Sequence, residues 1–227
     1  MGCIKLRAVR FPENLQYIGG SCFSGAGLES VNFPASLRTI CQSSFSLCAS
    51  LRNVKFADGL EVLGVDEYPT SGSPRYYGVF SKSALEEVKL PSTLKRIEYD
   101  AFQRCEMLKT IRLPGELEYI GKWCFEESGL EELVIPGSVK EVGCRAFFQC
   151  AKLKHVQLSD GLEILGRKQA VSENEYEGQV FAGSSIESIA IPSTLKVIEA
   201  CTFFNCGCLN TVKFSEGLEK ICASAFA

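Results

Sequence analysis

One histidine and twelve cysteines are the residues of this sequence whose chemistry could support catalysis. A cysteine nucleophile needs a base such as His155 within hydrogen-bond reach, and a third group that orients the base. His155 lies in an alternating stretch, which predicts that it points off the outer side of a strand beside Gln157. Most cysteines are expected to face inward or to lie in turns. The sequence has no phosphate-binding glycine loop and no H-E-x-x-H motif, so we predict a protein that is not an enzyme and uses no cofactor.

The cysteines recur at one position, three residues after a repeated phenylalanine. This position holds Cys48, Cys105, Cys150 and Cys206, and the alternate repeats carry Ser83, Ser128 and Ser184 in the same region. Equivalent cysteines would lie two coils, about 10 Å, apart, which is too far for a disulfide. We predict small, buried and reduced thiols. Zinc sites need clustered ligands, and the only close pairs are Cys201/Cys206 and Cys206/Cys208, so no metal is predicted.

A repeated pattern, L-x-x-V-x-F-P-x-x-L-x-x-I-x-x-x-x-F-x-x-C, organises the chain. It begins at Leu6, Leu28, Leu51, Leu85, Leu108, Leu130, Leu153, Ile186 and Leu209. The intervals are 22 or 23 residues, except for two of 34 and 33. A fixed period of this size indicates a solenoid, in which each unit buries its apolar side against its neighbours.

The apolar spacing within a unit is typical of strands and turns. Ile111 and Leu113 are two residues apart, which predicts a short strand with two inward side chains. Pro114 then ends the strand, because proline has no N–H donor and a fixed φ. A second extended piece, such as Leu94 to Ile97, leads to a turn at the phenylalanine. We predict one domain over 1–227: a mostly β solenoid of nine stacked coils with parallel strands and short turns or 3-10 segments.

The pattern closely resembles the BspA-like leucine-rich repeat family. The segment Leu85–Cys105, L-E-E-V-K-L-P-S-T-L-K-R-I-E-Y-D-A-F-Q-R-C, carries the resemblance, together with Ala146-Phe147 and the pairs Ile18-Gly19 and Ile120-Gly121. The resemblance implies an open leucine-rich solenoid. It also implies a binding module of the kind found in surface and adhesion proteins, without naming a ligand.

Charges alternate in sign from repeat to repeat in two columns. The residues after the opening Leu or Ile are Arg7, Glu29, Arg52, Glu86, Lys109, Glu131, Lys154, Glu187 and Asn210. The residues after the second apolar anchor are Gln16, Arg38, Glu61, Lys95, Glu118, Lys140, Glu163, Lys196 and Glu219. Stacking coils about 4.8 Å apart would place opposite charges side by side, so we predict structural charge ladders rather than a site for a charged ligand.

Two surfaces are candidate binding sites. The repeat is interrupted by insertions at about 65–76 and 167–177, and the candidate anchors there are Tyr68, Arg75, Tyr76, Tyr77 and Tyr176. The alternative is that these insertions are tolerated surface excursions. The outer side of the first strand carries Arg10, Lys55, Lys89 and Arg112, which indicates either a solvated sheet face or a site for an acidic partner.

These features favour a non-enzymatic protein-protein interaction scaffold, a fragment of a longer repeat protein. The alternatives are a cell-surface adhesin that binds a host or matrix protein or glycan, and a structural subunit of a larger assembly. A net charge of −3 with mixed signs gives no reason to expect nucleic acid, and no apolar run is long enough for direct membrane insertion. Neither end carries a polar capping unit, so we expect end-to-end contact with another chain or further repeats. Reduced thiols favour an intracellular protein and the resemblance favours the cell surface, which leaves localisation open.

Overall fold

Each repeat contributes short strands, and strands at equivalent positions of successive repeats pair side by side. The computed structural model describes residues 2–64, 77–166 and 178–227; the predicted insertions, with Tyr68, Arg75, Tyr76 and Tyr176, lie outside the described residues. The first strands of the repeats are β2 (Ser30–Phe33), β4 (Asn53–Phe56), β6 (Glu87–Lys89), β9 (Glu132–Ile135), β11 (His155–Leu158), β13 (Ser188–Ala190) and β15 (Thr211–Lys213). The second strands are β1 (Tyr17–Ile18), β3 (Thr39–Ile40), β5 (Val62–Leu63), β7 (Arg96–Ile97), β8 (Tyr119–Ile120), β10 (Glu141–Val142), β12 (Ile164–Leu165), β14 (Val197–Ile198) and β16 (Lys220–Ile221).

The strands form parallel, in-register ladders on two sides of the solenoid. Within the described residues, the second strands form a five-stranded sheet in the order β12-β10-β8-β7-β5, flanked by the pairs β1-β3 and β14-β16. The first strands form two sheets, β2-β4-β6 and β15-β13-β11-β9. In β2, Val31 and Phe33 are buried while Ser30 and Asn32 are exposed, which is the alternation of a half-buried strand. The predicted β solenoid of parallel strands and turns is confirmed.

Coil 5, which begins at Leu108, departs from the prediction. Ile111 and Leu113 are buried as expected, but no strand forms between Leu108 and Pro114. The prediction of a strand here was therefore right about the direction of the side chains and wrong about the hydrogen bonding. Coil 1 likewise has no first strand. The second-strand sheet nevertheless runs through coil 5, because β8 pairs with both β7 and β10.

A third ladder forms at the phenylalanine turn, where the backbone is not extended. In coil 5, Trp123 and Glu127, two residues before and after Phe125, have positive φ values of 54° and 53°. The N–H groups of Trp123, Phe125 and Glu127 donate to carbonyls of the next coil at 3.1, 2.7 and 2.8 Å. A left-handed conformation costs a non-glycine residue roughly 1 kcal/mol, and these inter-coil hydrogen bonds offset that cost.

The phenylalanine turns stack one ring per coil through the centre of the solenoid. Nine rings follow one another with centroids 5.1 to 5.6 Å apart and nearly parallel planes. The rings are Phe23, Phe45, Phe80, Phe102, Phe125, Phe147, Phe181, Phe203 and Phe226. Seven of them, from Phe45 to Phe203, are essentially inaccessible to solvent, so this column is the centre of the core.

The two predicted charge ladders are confirmed by ion pairs between neighbouring coils. In the first column Arg52 pairs with Glu86, Lys109 with Glu131 at 3.3 Å, and Lys154 with Glu187 at 3.9 Å. In the second column Lys95 pairs with Glu61 at 3.0 Å, Lys140 with Glu163 at 3.8 Å, and Lys196 with Glu219 at 3.7 Å. Exposed pairs of this kind contribute at most about 1 kcal/mol each. A slip by one repeat would bring like charges together, so the ladders favour the correct register.

Candidate functional site

The exposed side chains of the first strands form one surface, which we call the first-strand face. Strand register places Glu132, His155 and Ser188 side by side on three successive coils of this face. Two residues further along each strand, Val134 lies beside Gln157. His155 therefore points outward next to Gln157, as the sequence predicted.

These residues line an open groove of about 710 Å³ on the first-strand face. We call it the histidine groove. Its lining residues include Thr110, Arg112, Glu132, Val134, His155 and Ser188. Val134 is 54% exposed, an unusual position for a valine. The groove therefore combines a basic and an acidic side chain, Arg112 and Glu132, with the accessible apolar side chain of Val134.

Among the described residues, the histidine groove does not bring a nucleophile and a base into hydrogen-bond contact. No cysteine is among the residues that line it, so the cysteine–histidine pair considered from the sequence is not brought together. Ser188, His155 and Glu132 are residue types of a hydrolytic triad, which requires the nucleophile to be hydrogen-bonded to its base. Within the described residues, no hydrogen bond or ion pair joins these three side chains.

A second groove of about 620 Å³ lies on the same face towards the N-terminus. We call it the lysine groove. Its lining residues include Asp58, Glu87, Val88, Lys89, Arg112 and Leu113. Arg112 and Leu113 line both grooves. Coil 5, where the first-strand sheet is interrupted, is therefore the ridge between them.

Three of the basic residues predicted as binding residues form a row on adjacent coils. Lys55 is the register partner of Lys89, and Lys89 shares the lysine groove with Arg112. We call Lys55, Lys89 and Arg112 the cation row. All three are exposed, and none of their side chains has an ion pair or hydrogen bond within the described part of the chain.

The other predicted binding residues are distributed differently. Arg10 is exposed on coil 1, and Asn32 occupies the equivalent position between it and Lys55. Tyr77 is half-buried: the Lys82 ammonium lies 4.6 Å from its ring centroid and donates to its hydroxyl at 3.3 Å. The Tyr77 backbone is bonded to Ser43 of the preceding coil. Tyr77 therefore packs on the solenoid and is not among the residues that line the two grooves.

Sequence reasoning had not assigned Thr110, Glu132 and Ser188 to a site. The signal was available, because residues two apart in a strand share a face. Glu132 and Ser188 precede Val134 and Ala190 by two residues, and Val134 and Ala190 occupy in their repeats the position that Arg112 has in coil 5. The grooves themselves depend on the interruption at coil 5, which no local pattern indicates.

The repeated cysteines form a regular internal column and do not contribute to the grooves. All twelve cysteines have free thiols. The thiols of Cys48, Cys105, Cys150 and Cys206 each donate to the carbonyl of the phenylalanine 25 residues earlier, at 3.1 to 3.3 Å. Ser83, Ser128 and Ser184 lie between them in the column, 3.3 to 3.6 Å from the next cysteine sulfur. The cysteines are therefore structural hydrogen-bond donors.

Burial of these thiols makes stability depend on pH. Burial raises the pKa of Cys105 from 9.0 to about 12 and that of Cys150 to about 11. The unfolded chain thus loses these protons first, so the free energy of unfolding is expected to fall as the pH rises above about 9, by about 1.4 kcal/mol per pH unit for each thiol. Urea unfolding at about pH 8 and about pH 10 measures this fall. The control is Cys105→Ser, because serine is native at this position in alternate coils; the slope should be shallower in this variant, and an unchanged slope would contradict the assignment.

Over residues 2–64, 77–166 and 178–227, no group of three or more His, Cys, Asp or Glu side chains is arranged to hold a metal ion. The same residues include no helix of the length and hydropathy that crossing a membrane requires.

Comparison with known proteins places this architecture in a family. Residues 1–70, 76–171 and 174–227 match the BspA type leucine-rich repeat region, in six copies. No curated protein sequence matches the chain. The chain is similar to a leucine-rich repeat protein from Bacteroides ovatus, with 23% identity and a TM-score of 0.58 over 96% of this chain and 63% of that protein.

Two further solved structures are similar. The pneumococcal vaccine antigen PcpA has 28% identity and a TM-score of 0.59, covering 88% of this chain and 48% of the antigen. The T. pallidum leucine-rich repeat protein TpLRR has 23% identity and a TM-score of 0.54, covering 85% of this chain and 72% of that protein. The chain thus spans less than two thirds of the length of the Bacteroides ovatus protein and of PcpA. Since the family match extends over most of the sequence and the coils stack one per repeat, the chain belongs to the BspA-type leucine-rich repeat family.

Proposed function

We propose that this chain is a non-enzymatic protein-interaction scaffold, part of a longer repeat protein, and that a partner protein binds the first-strand face. The observation that carries the proposal is the coincidence of both grooves and the unpaired cation row on this one face. The two charge ladders elsewhere on the solenoid contain ion pairs between coils. The first-strand face therefore offers a partner charged side chains that these ladders do not pair.

A photo-crosslinker tests which face is used. Benzoylphenylalanine placed at Val134, in the histidine groove, is expected to form an adduct with a protein of the source cell. The control position is Gln149, which is exposed on the phenylalanine turn. Adducts from Gln149 alone would indicate that the partner binds at the phenylalanine turn and not at the first-strand face. The absence of adducts at both positions would count against the scaffold itself.

A cell-surface binding protein is the second candidate. It is favoured by the likeness to PcpA, which is a vaccine antigen. The twelve free thiols weigh against it, because secreted proteins commonly oxidise their cysteines. Biotinylation of intact cells with an impermeant reagent separates the two candidates. Labelling before lysis supports the surface protein, and labelling only after lysis excludes it.

A further inference from the structure

The sheet on the first-strand face is interrupted at coil 5, whereas the second-strand sheet continues through this coil. Residues 110–113 make no backbone hydrogen bond within the described part of the chain. The sheets that end at β6 and begin at β9 therefore remain separate. On the second-strand side, β8 of the same coil is paired to both neighbours. The interruption thus affects only the face that carries the grooves.

The core beside the interruption is slightly accessible to solvent. The first inward side chains of coils 4 and 5, Val88 and Ile111, are 7% and 8% exposed, and Leu113 is 8% exposed. Burial at the position equivalent to Val88 varies along the solenoid: Val54 in coil 3 is 0% exposed, Leu133 in coil 6 is 2% exposed, and Val156 in coil 7 is only partly buried. The floor beneath the ridge is therefore apolar and slightly accessible, which suits contact with an apolar side chain.

The charges of the cation row do not alternate in sign from coil to coil, unlike those of the charge ladders. Elsewhere, stacked charges alternate in sign and pair between coils. In the cation row, Lys55 and Lys89 are register partners on paired strands about 4.8 Å apart, an arrangement that is destabilising for like charges. Arg112 adds a third positive charge on the next coil. Glu87 and Asp58 also line the lysine groove, and the Asp58 carboxylate accepts a hydrogen bond from the Ser92 N–H at 2.6 Å. An anionic ligand would relieve the repulsion that the fold leaves in place.

We propose that the ridge at coil 5 and its two grooves bind an extended, acidic segment of a partner protein. Lys55, Lys89 and Arg112 pair with its carboxylates, and an apolar side chain between them contacts the floor formed by Val88, Ile111 and Leu113. This inference rests on the proposed scaffold function and names the class of partner.

The dimensions of an extended peptide fit this arrangement. The cation row spans two coil steps, or about 10 Å. Alternate side chains of an extended peptide lie on one side, about 6.8 Å apart. Two carboxylates four residues apart, with one apolar side chain midway, therefore span about 14 Å, which the long lysine and arginine side chains can reach.

Fluorescence anisotropy with a defined probe tests the inference. The probe is a fluorescein-labelled peptide with a central leucine and two glutamates on each side, and the comparison peptide has glutamine in place of glutamate. The glutamate peptide is expected to bind more tightly, and its affinity is expected to fall as salt is added. Equal binding of the two peptides would overturn the proposal. Tighter binding of heparin than of the peptide would also overturn it, in favour of a sulfated glycan.

Two triple variants locate the binding. Lys55→Gln, Lys89→Gln and Arg112→Gln together are expected to weaken peptide binding about tenfold or more. The matched control is Lys109→Gln, Lys154→Gln and Lys196→Gln, which removes the same charge from ion-paired ladder positions and is expected to change binding less than about twofold. Circular dichroism verifies that both variants fold. Equal losses of peptide affinity in the two variants would indicate general charge attraction and refute the site. Photo-crosslinked adducts at Val134 without binding of the glutamate peptide would refute the acidic partner but leave the proposed scaffold function in place.

Discussion

Phe125→Ala is expected to lower the free energy of unfolding by about 3–5 kcal/mol. Phe125 is inaccessible to solvent and lies 5.2 Å from the rings of both Phe102 and Phe147. Its removal leaves a cavity that the neighbouring coils cannot close, because their backbones are tied together by inter-coil hydrogen bonds on each side of the ring. Urea denaturation followed by circular dichroism measures the loss.

Phe214→Ala is the matched control for this experiment. Phe214 is 53% exposed, and its recorded ring contact is an edge contact with Phe226 at 6.1 Å. Its truncation is expected to cost less than about 1 kcal/mol. Equal losses in the two variants would contradict the assignment of the phenylalanine stack as the centre of the core. Because coils interact mainly with their neighbours, hydrogen exchange on the Phe125→Ala protein is also expected to show the largest loss of protection around coil 5.

Native-state alkylation is expected to divide the cysteines into two classes. Cys3, Cys22 and Cys208 are exposed and should react readily. Cys105 is inaccessible, and burial raises its pKa to about 12. At pH 8 roughly one such thiol in ten thousand is ionised, so its alkylation is expected to be about a thousandfold or more slower than that of Cys208.

Peptide mapping after iodoacetamide treatment without reductant measures these rates. Burial raises the pKa of Cys124 as well, so Cys105 and Cys124 are expected to become labelled together when the central coils open. The control is the same reaction in urea, where all twelve cysteines should react at similar rates. Rapid native labelling of Cys105 would show that the thiol column is accessible, and bridged pairs in the unreduced protein would contradict the free thiols.

Features that depend on the repeated pattern could be predicted from the sequence alone. The spacing of Val31 and Phe33 predicts two inward side chains on a strand, and both are buried. The alternation of Lys109 and Glu131 predicts an ion pair between neighbouring coils, which forms at 3.3 Å. These predictions hold because each requires only that one repeat stacks on the next, so a single spacing determines a contact along the whole chain.

The turn conformation could not be derived in this way. Trp123 and Glu127 adopt positive φ, although neither residue type favours a left-handed conformation. Hydrogen bonds to Cys144 and Phe148 of the next coil stabilise it. The same holds for the thiol of Cys150, whose partner is the carbonyl of Phe125 in the preceding coil. In each case the decisive interaction is made with backbone that lies more than twenty residues away.

The candidate site also combines features that follow from the repeat with features that depend on contacts between coils. The sequence by itself determined that Lys55, Lys89 and Arg112 would lie on the outer side of the first strands, since this follows from the period of two. Only the tertiary structure decided that the sheet would part at coil 5, where L-K-T-I-R-L-P scarcely differs in pattern from the strand-forming L-E-E-V-K-L-P of coil 4. Whether two coils pair their backbones depends on how the whole stack of coils is packed. The grooves on either side of Arg112 are therefore a property of the stack and of no single repeat.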